Sequence, residues 1–170
     1  LSKINIPSQL MLAQVSGASD ITSGLVGYWN MDSSDIDWSA NTILDRSGNG
    51  NQGSLVGLSS GSDSVNGKYG QAMTFNGVNK ISIPSAQSLN LSINNAFTYS
   101  VWLKNASQID TWRAVIYSDV LHNLSVGNSL ILIRPGGSVR QLVQYGPNNN
   151  YPSYVVGEWY HLAVTYDGSN

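Results

Sequence analysis

Nine consecutive residues, Asp45-Arg46-Ser47-Gly48-Asn49-Gly50-Asn51-Gln52-Gly53, pack oxygen-bearing side chains and three glycines into one stretch. Asp45, Ser47 and Asn49 recur at spacings of two, with Gly50 next. That is the first half of a loop that wraps calcium. The second half is missing, because the twelfth position is Val56 and not an acid that could close the coordination sphere. The same composition also makes a rigid turn. Glycine admits backbone conformations that other residues avoid, and Asp, Asn and Ser side chains bond back onto their own backbone. Both readings are open on the sequence alone, and a closing ligand would have to come from elsewhere in the fold.

A second constellation suits sugar recognition, in which aromatic faces cover the apolar side of a ring and amides take its hydroxyls. Tyr145, Asn148, Asn149, Asn150, Tyr151 and Tyr154 lie close together, stiffened by Pro147 and Pro152. Trp112 and Tyr117 are further aromatic candidates. The alternative is a solvated loop whose tyrosines pack on a sheet rim. Trp29, Trp102 and Trp159 fall in strand patterns and are expected as packing residues. His161 alternates with Trp159 and Ala163, which predicts a structural, hydrogen-bonded histidine. His122 follows Asp119-Val120-Leu121 in an expected loop facing solvent. The acids Asp32, Asp35 and Asp37 fail the calcium-loop template, since Ala40 and Arg46 stand where the glycine and the closing acid belong. They are expected to cap turns. Asn90, Asn105 and Asn123 head glycosylation sequons, but a chain so rich in Asn and Ser produces these by chance.

Composition removes several function classes. Charged residues are 11% of the chain and the formal net charge is -2, so there is no basic field for nucleic acid or anionic lipid. No run of roughly 18 apolar residues is present, so no helical membrane insertion is expected. Cysteine is absent, which excludes disulfides, thiolate metal sites and cysteine nucleophiles. The 170 residues fit one domain with a sizeable core. The sequence opens on Leu1 and ends at Asn170 just after a turn signal, which reads as a piece of a longer polypeptide.

Short strands and frequent turns must position these residues. Residues 1–23 read as an N-terminal linker or extension: 3–7 is extended in character, 8–13 is one helical turn or a short strand, and 16–23 is a Ser/Gly/Asp linker. A strand docking on a neighbouring sheet edge is the alternative for this stretch. From Gly24 the chain reads as a sandwich or barrel. Ala72 to Phe75 runs into Asn76-Gly77, a hairpin signal, and Lys80 to Ile83 follows. In Phe97 to Leu103, one face carries Phe97, Tyr99, Val101 and Leu103, and the other carries Thr98, Ser100 and Trp102. Strands are also expected over 114–117, 130–134, 139–145 and 160–166. The fold class is all-β, with two packed antiparallel sheets.

Five ordered landmarks carry a family resemblance. They are Gly24-Leu25-Val26-Gly27-Tyr28-Trp29, Asp45-x-Ser47-Gly48-Asn49-Gly50-Asn51, Gly67-Lys68-Tyr69-Gly70-Gln71-Ala72-Met73-x-Phe75-Asn76-Gly77, Phe97-Thr98-x-Ser100-x-Trp102, and Trp159 through Gly168. Residues 24–170 thereby resemble the laminin-G-like, concanavalin A-like jelly-roll domains of bacterial surface and secreted proteins. The resemblance implies a jelly-roll sandwich, here C-terminally incomplete because the usual closing strands do not follow Gly168. It also implies an open sheet edge that a strand-donating partner chain could complete. It implies calcium near the second landmark, with Asp45, Asn49 and Asn51 as ligands, although calcium takes about six to eight oxygens and this loop alone offers too few.

Glucanases of this fold carry catalytic acids on one strand as Glu-x-Asp-x-x-Glu. This chain has one glutamate, Glu158, at a turn, and no strand with the two carboxylates that glycoside hydrolysis needs. The expectation is a non-catalytic module of an extracellular or cell-surface protein, binding glycans or surface protein. The alternatives are an assembly domain completed by a partner strand, or an accessory domain of a larger secreted enzyme.

Overall fold

The computed structural model describes residues 4–7, 10–13, 22–89, 96–107, 113–116, 122–126, 131–135 and 155–166. The first half holds β1 (Ile4–Pro7), β2 (Leu10–Ala13), β3 (Leu25–Trp29), β4 (Ile36–Asp37), β5 (Thr42–Ile43), β6 (Gly53–Val56), β7 (Ser64–Asn66), β8 (Gln71–Phe75) and β9 (Lys80–Ser82). The second holds β10 (Phe97–Asn105), β11 (Arg113–Ile116), β12 (His122–Val126), β13 (Ile131–Pro135) and β14 (Trp159–Tyr166). The only helical pieces among the described residues are two three-residue 3-10 turns, at Ser33–Asp35 and Gln87–Leu89.

The organising strand is β10. Its burial alternates at every residue from Phe97 to Asn105, as the sequence pattern predicts. Phe97, Val101 and Leu103 are fully buried and Tyr99 nearly so. Each such side chain contributes about 1.5–3 kcal/mol by leaving water, so the core closes on this strand. One edge of β10 pairs with β14 over eight residues, from Phe97↔Tyr166 to Lys104↔Trp159. The other edge is shared. β2 takes Thr98 to Val101, and β1 takes Lys104 and Asn105. Beyond them β3 pairs with β2, β8 with β1, and β7 with β8. A second antiparallel sheet runs β4-β5-β6-β9, and a third runs β11-β12-β13. Ile36, Ile43 and Leu55 of the second sheet join Val26, Trp29, Met73, Phe97 and Val101 of the first in one cluster. The two sheets therefore face each other across a shared core.

One alternative left open by the sequence is decided and two local outcomes differ from it. Residues 4–7 and 10–13 take the extended and short-strand readings and pair on both edges, between β10 and the strands β8 and β3. Asn76-Gly77 does not close a hairpin, because β8 and β9 belong to different sheets. The turn is held instead by side chains. Asn76 Oδ1 accepts from the N–H groups of Val78 and Asn79, and Asn79 Oδ1 accepts from the N–H of Asn76. Gly77 has φ +90, a conformation that suits glycine. Finally, His122 opens β12, a strand paired on both sides, and does not sit in a loop. The strand expected over 139–145 lies outside the described residues.

Burial pushes the Tyr99 phenol up from its ordinary range. The folded chain then holds that proton more tightly than the unfolded chain does. This contribution to stability is complete below the unfolded value of 10.0 and is lost as the pH rises past it. Tyr99→Phe is expected to flatten the alkaline loss of stability, measured by denaturant unfolding at stepped pH. An alkaline limb as steep as the parent's would contradict this reading of the core.

Candidate functional site

If alternation sends Phe97, Tyr99, Val101 and Leu103 inward, it sends Thr98, Ser100, Trp102 and Lys104 outward. The register of β14 sets Thr165, Ala163, His161 and Trp159 directly opposite them. Two rows of side chains therefore lie side by side on the outer face of the larger sheet, while Val164 is buried beneath and Tyr160 and Leu162 pack against the core.

These rows are ordered along the strands. At one end the hydroxyls of Thr98 and Thr165 are 3.2 Å apart and hydrogen-bonded. Next, Ser100 Oγ lies 2.9 Å from His161 Nε2. The His161 ring is in turn 5.1 Å from the Trp102 ring, tilted by 38°. Tyr69 meets the other side of this group, edge-on to Trp102 at 5.8 Å and 80°. At the far end Lys104 Nζ sits 4.7 Å from the centre of the Trp159 ring, and Lys68 Nζ sits 5.8 Å from that of Trp102. Such ring and cation contacts are each worth about 0.5–1.5 kcal/mol, enough to hold the side chains in place without burying them. Trp102 and Trp159 are half-buried, His161 is exposed, and Tyr69 is 59% exposed.

The turn Gly67-Lys68-Tyr69-Gly70 between β7 and β8 delivers Tyr69 and Lys68. It is closed by the Gly67 N–H donating to the Gly70 carbonyl at 2.9 Å. Asp32 anchors it by accepting from the Gln71 N–H at 2.8 Å. Gly70 has φ +58, and a Cβ there would overlap the Asp32 carboxylate. The third landmark of the sequence thus has a physical reason: this close approach has no room for a side chain.

The loop expected to hold calcium is a different construction. Asp45 is only 5% exposed. Its Oδ1 accepts from the N–H groups of Tyr28 and Ser47, and its Oδ2 accepts from Ser47 Oγ and the Asn51 N–H, all at 2.7–2.9 Å. Asn49 Nδ2 donates to the Leu25 carbonyl and to Ser47 Oγ. Asn51 Nδ2 donates to the Val26 carbonyl and to Ser88 Oγ, while the Asn51 carbonyl accepts from Trp29 Nε1. The oxygens of Asp45 and the Asn51 carbonyl thus already serve as acceptors that tie β3 to the loop. A cation at Asp45 would have to displace four donors. Among the described residues no three acidic, histidine or cysteine side chains form a metal-sized group. Asp35 likewise forms a two-contact ion pair with Arg46, and Asp37 caps the turn at Ser39 and Ala40.

Comparison with known families fits this architecture. A model described as the concanavalin A-like lectin/glucanases superfamily matches residues 75–170, more than half of the 170-residue chain. The chain belongs to this superfamily. No curated protein and no solved structure matches it. The matched span of the lectin-like domain contains β10 and β14, and so most of the outer-face rows.

The expected sugar-binding residues Trp112, Tyr145, Asn148, Asn149, Asn150, Tyr151 and Tyr154 lie outside the described residues. Trp29 is a packing residue as expected, 2% exposed. Trp102 and Trp159 are not core: they belong to the outer face with His161. The missed signal was the outward face of β10, where a tryptophan follows Thr98 and Ser100 in an otherwise polar row. Glu158 is exposed in the turn before β14, its N–H donating to the Val155 carbonyl.

Asp45 also carries an acid signature. Burial raises its pKa, but the hydrogen bonds from Ser47, Tyr28 and Asn51 outweigh that, and the carboxyl stays below its ordinary value. Its stabilisation is present above the unfolded value and fades as the pH falls through the lowered one. Asp45→Ala leaves buried N–H groups unpaired and is expected to cost roughly 2–3 kcal/mol at neutral pH. The loss should be equal in calcium and in chelator, read by thermal melts. A loss seen only with calcium present would restore the metal reading.

Proposed function

We propose that this domain is a non-catalytic carbohydrate-binding module of an exported or cell-surface protein. Its binding surface is the outer face of β10 and β14. The observation that carries the reading is the cluster Tyr69–Trp102–His161, held in place by ring contacts yet open to solvent. Half-exposed indoles beside hydroxyls, an imidazole and ammonium groups supply what a sugar needs: an apolar face to stack on and polar groups at its rim. Membership of a lectin-like superfamily agrees with a binding role in general, and the choice of sugar rests on the aromatic cluster. No helix among the described residues is long and apolar enough to cross a membrane. Calcium has no part in the proposal, because the loop expected to bind it is hydrogen-bonded to itself. The exported setting rests on the family to which the chain belongs.

Native affinity electrophoresis in gels containing soluble neutral and acidic polysaccharides tests the proposal. At least one polysaccharide is expected to retard the parent chain. Trp102→Ala should weaken that retardation about tenfold or more. Its melting should stay within about 1 kcal/mol of the parent's, since the ring is not core. Migration unaffected by every polysaccharide, or retardation equal in parent and Trp102→Ala, would overturn it.

A further inference from the structure

We infer that the outer-face site selects an acidic polysaccharide, one whose sugars carry carboxylate groups. The inference rests on the carbohydrate-binding reading and deepens it. Its basis is where the positive charge stands. The chain as a whole is mildly acidic, with ten carboxylate side chains against eight Lys and Arg. Arg46 is tied to Asp35. Lys68 and Lys104, by contrast, both stand at the aromatic rows, and among the described residues neither forms an ion pair. Each ammonium rests over an indole ring, at Trp102 and at Trp159.

An ammonium over a ring face is a resting position. Lysine is a strongly hydrated point charge on a flexible stem with three rotatable donors. When a sugar ring stacks on the indole, the ammonium can swing to the edge of that sugar without leaving the site. A neutral sugar that displaces the cation offers it only hydroxyl oxygens, which accept weaker hydrogen bonds than a carboxylate does. A carboxylated sugar replaces that contact with a charge-assisted hydrogen bond, the stronger interaction. The two lysines lie at the rings of Trp102 and Trp159, which are diagonal neighbours on one face, two residue positions apart in the pairing of adjacent strands. Diagonal neighbours of this kind are about 7–8 Å apart. A chain that repeats an acidic group along its length can therefore meet both cations at once. Glu158, the sequence neighbour of Trp159, forms no ion pair with Lys104, which leaves that ammonium available.

The test uses the full chain and three probes by isothermal titration at low and at roughly 0.5 M salt: polygalacturonate, its fully methyl-esterified form, and dextran sulfate. The parent is expected to bind polygalacturonate about fivefold or more tightly than the uncharged ester, with high salt shrinking that ratio. In Lys68→Gln/Lys104→Gln the ratio should collapse towards one, and Lys68→Arg/Lys104→Arg should restore it. Lysine-dependent binding of dextran sulfate without polygalacturonate would keep the anionic selection but assign it to sulfate esters, overturning the carboxylate. Equal binding of acid and ester by the parent, or a ratio unmoved in the Gln variant, overturns the inference while leaving carbohydrate binding intact. If no probe binds and Trp102→Ala changes nothing in the wider polysaccharide panel, the carbohydrate reading falls as well.

Discussion

A β-strand has two faces, and whatever it buries on one fixes what it shows on the other. This constraint at β10 sets the rest of the molecule. The strand cannot place Phe97, Tyr99, Val101 and Leu103 in the core without presenting Thr98, Ser100, Trp102 and Lys104 to solvent. A slip of one residue would exchange the two sets. The apolar set fixes the register, and the eight paired residues of β14 inherit it. The proposed binding surface is thus a by-product of core packing in its placement. Only the identity of its residues is free to serve a ligand.

Loops are built to protect that arrangement. Asp45 draws Tyr28, Ser47 and Asn51 to one carboxylate, fixing β3 against the loop that follows β5. Asn76 and Asn79 hold the passage from one sheet to the other. Asp32 and Gly70 hold the turn that brings Tyr69 to Trp102. In each case a short polar side chain replaces backbone partners that the turn has lost. These Asp and Asn residues resemble metal ligands in sequence because both tasks need oxygen atoms close together in a tight, glycine-rich bend.

The fold was legible for this reason of period. The alternation of β10, the strand after Trp159 and the recurrence of turn residues all follow from local chemistry, and the superfamily match agrees with them. The candidate site was less legible. The strand pattern sorted Trp102 and His161 to their faces and gave His161 its hydrogen bond, but it could not show that Tyr69 from another turn joins them, because alternation says nothing of which distant elements meet a face. The stretch 4–13 was ambiguous because its pairing partners lie in strands far along the chain. Asn76-Gly77 misled because hairpins and sheet crossings use the same turn residues. The Asp45 loop was ambiguous because turn closure and cation binding draw on the same oxygen-rich residues, and the four donors on Asp45 favour the turn.

The central claim is that ligand contacts fall on the outer face of β10 and β14. Nuclear magnetic resonance tests it most directly, by following the indole N–H signals of the five tryptophans while polygalacturonate oligomers are added to the labelled chain. The account predicts that the signals of Trp102 and Trp159 move together and saturate, while that of Trp29, buried and bonded to the Asn51 carbonyl, stays still. Movement confined to Trp112, or to backbone signals of residues 145–154, with Trp102 and Trp159 unmoved, would contradict it.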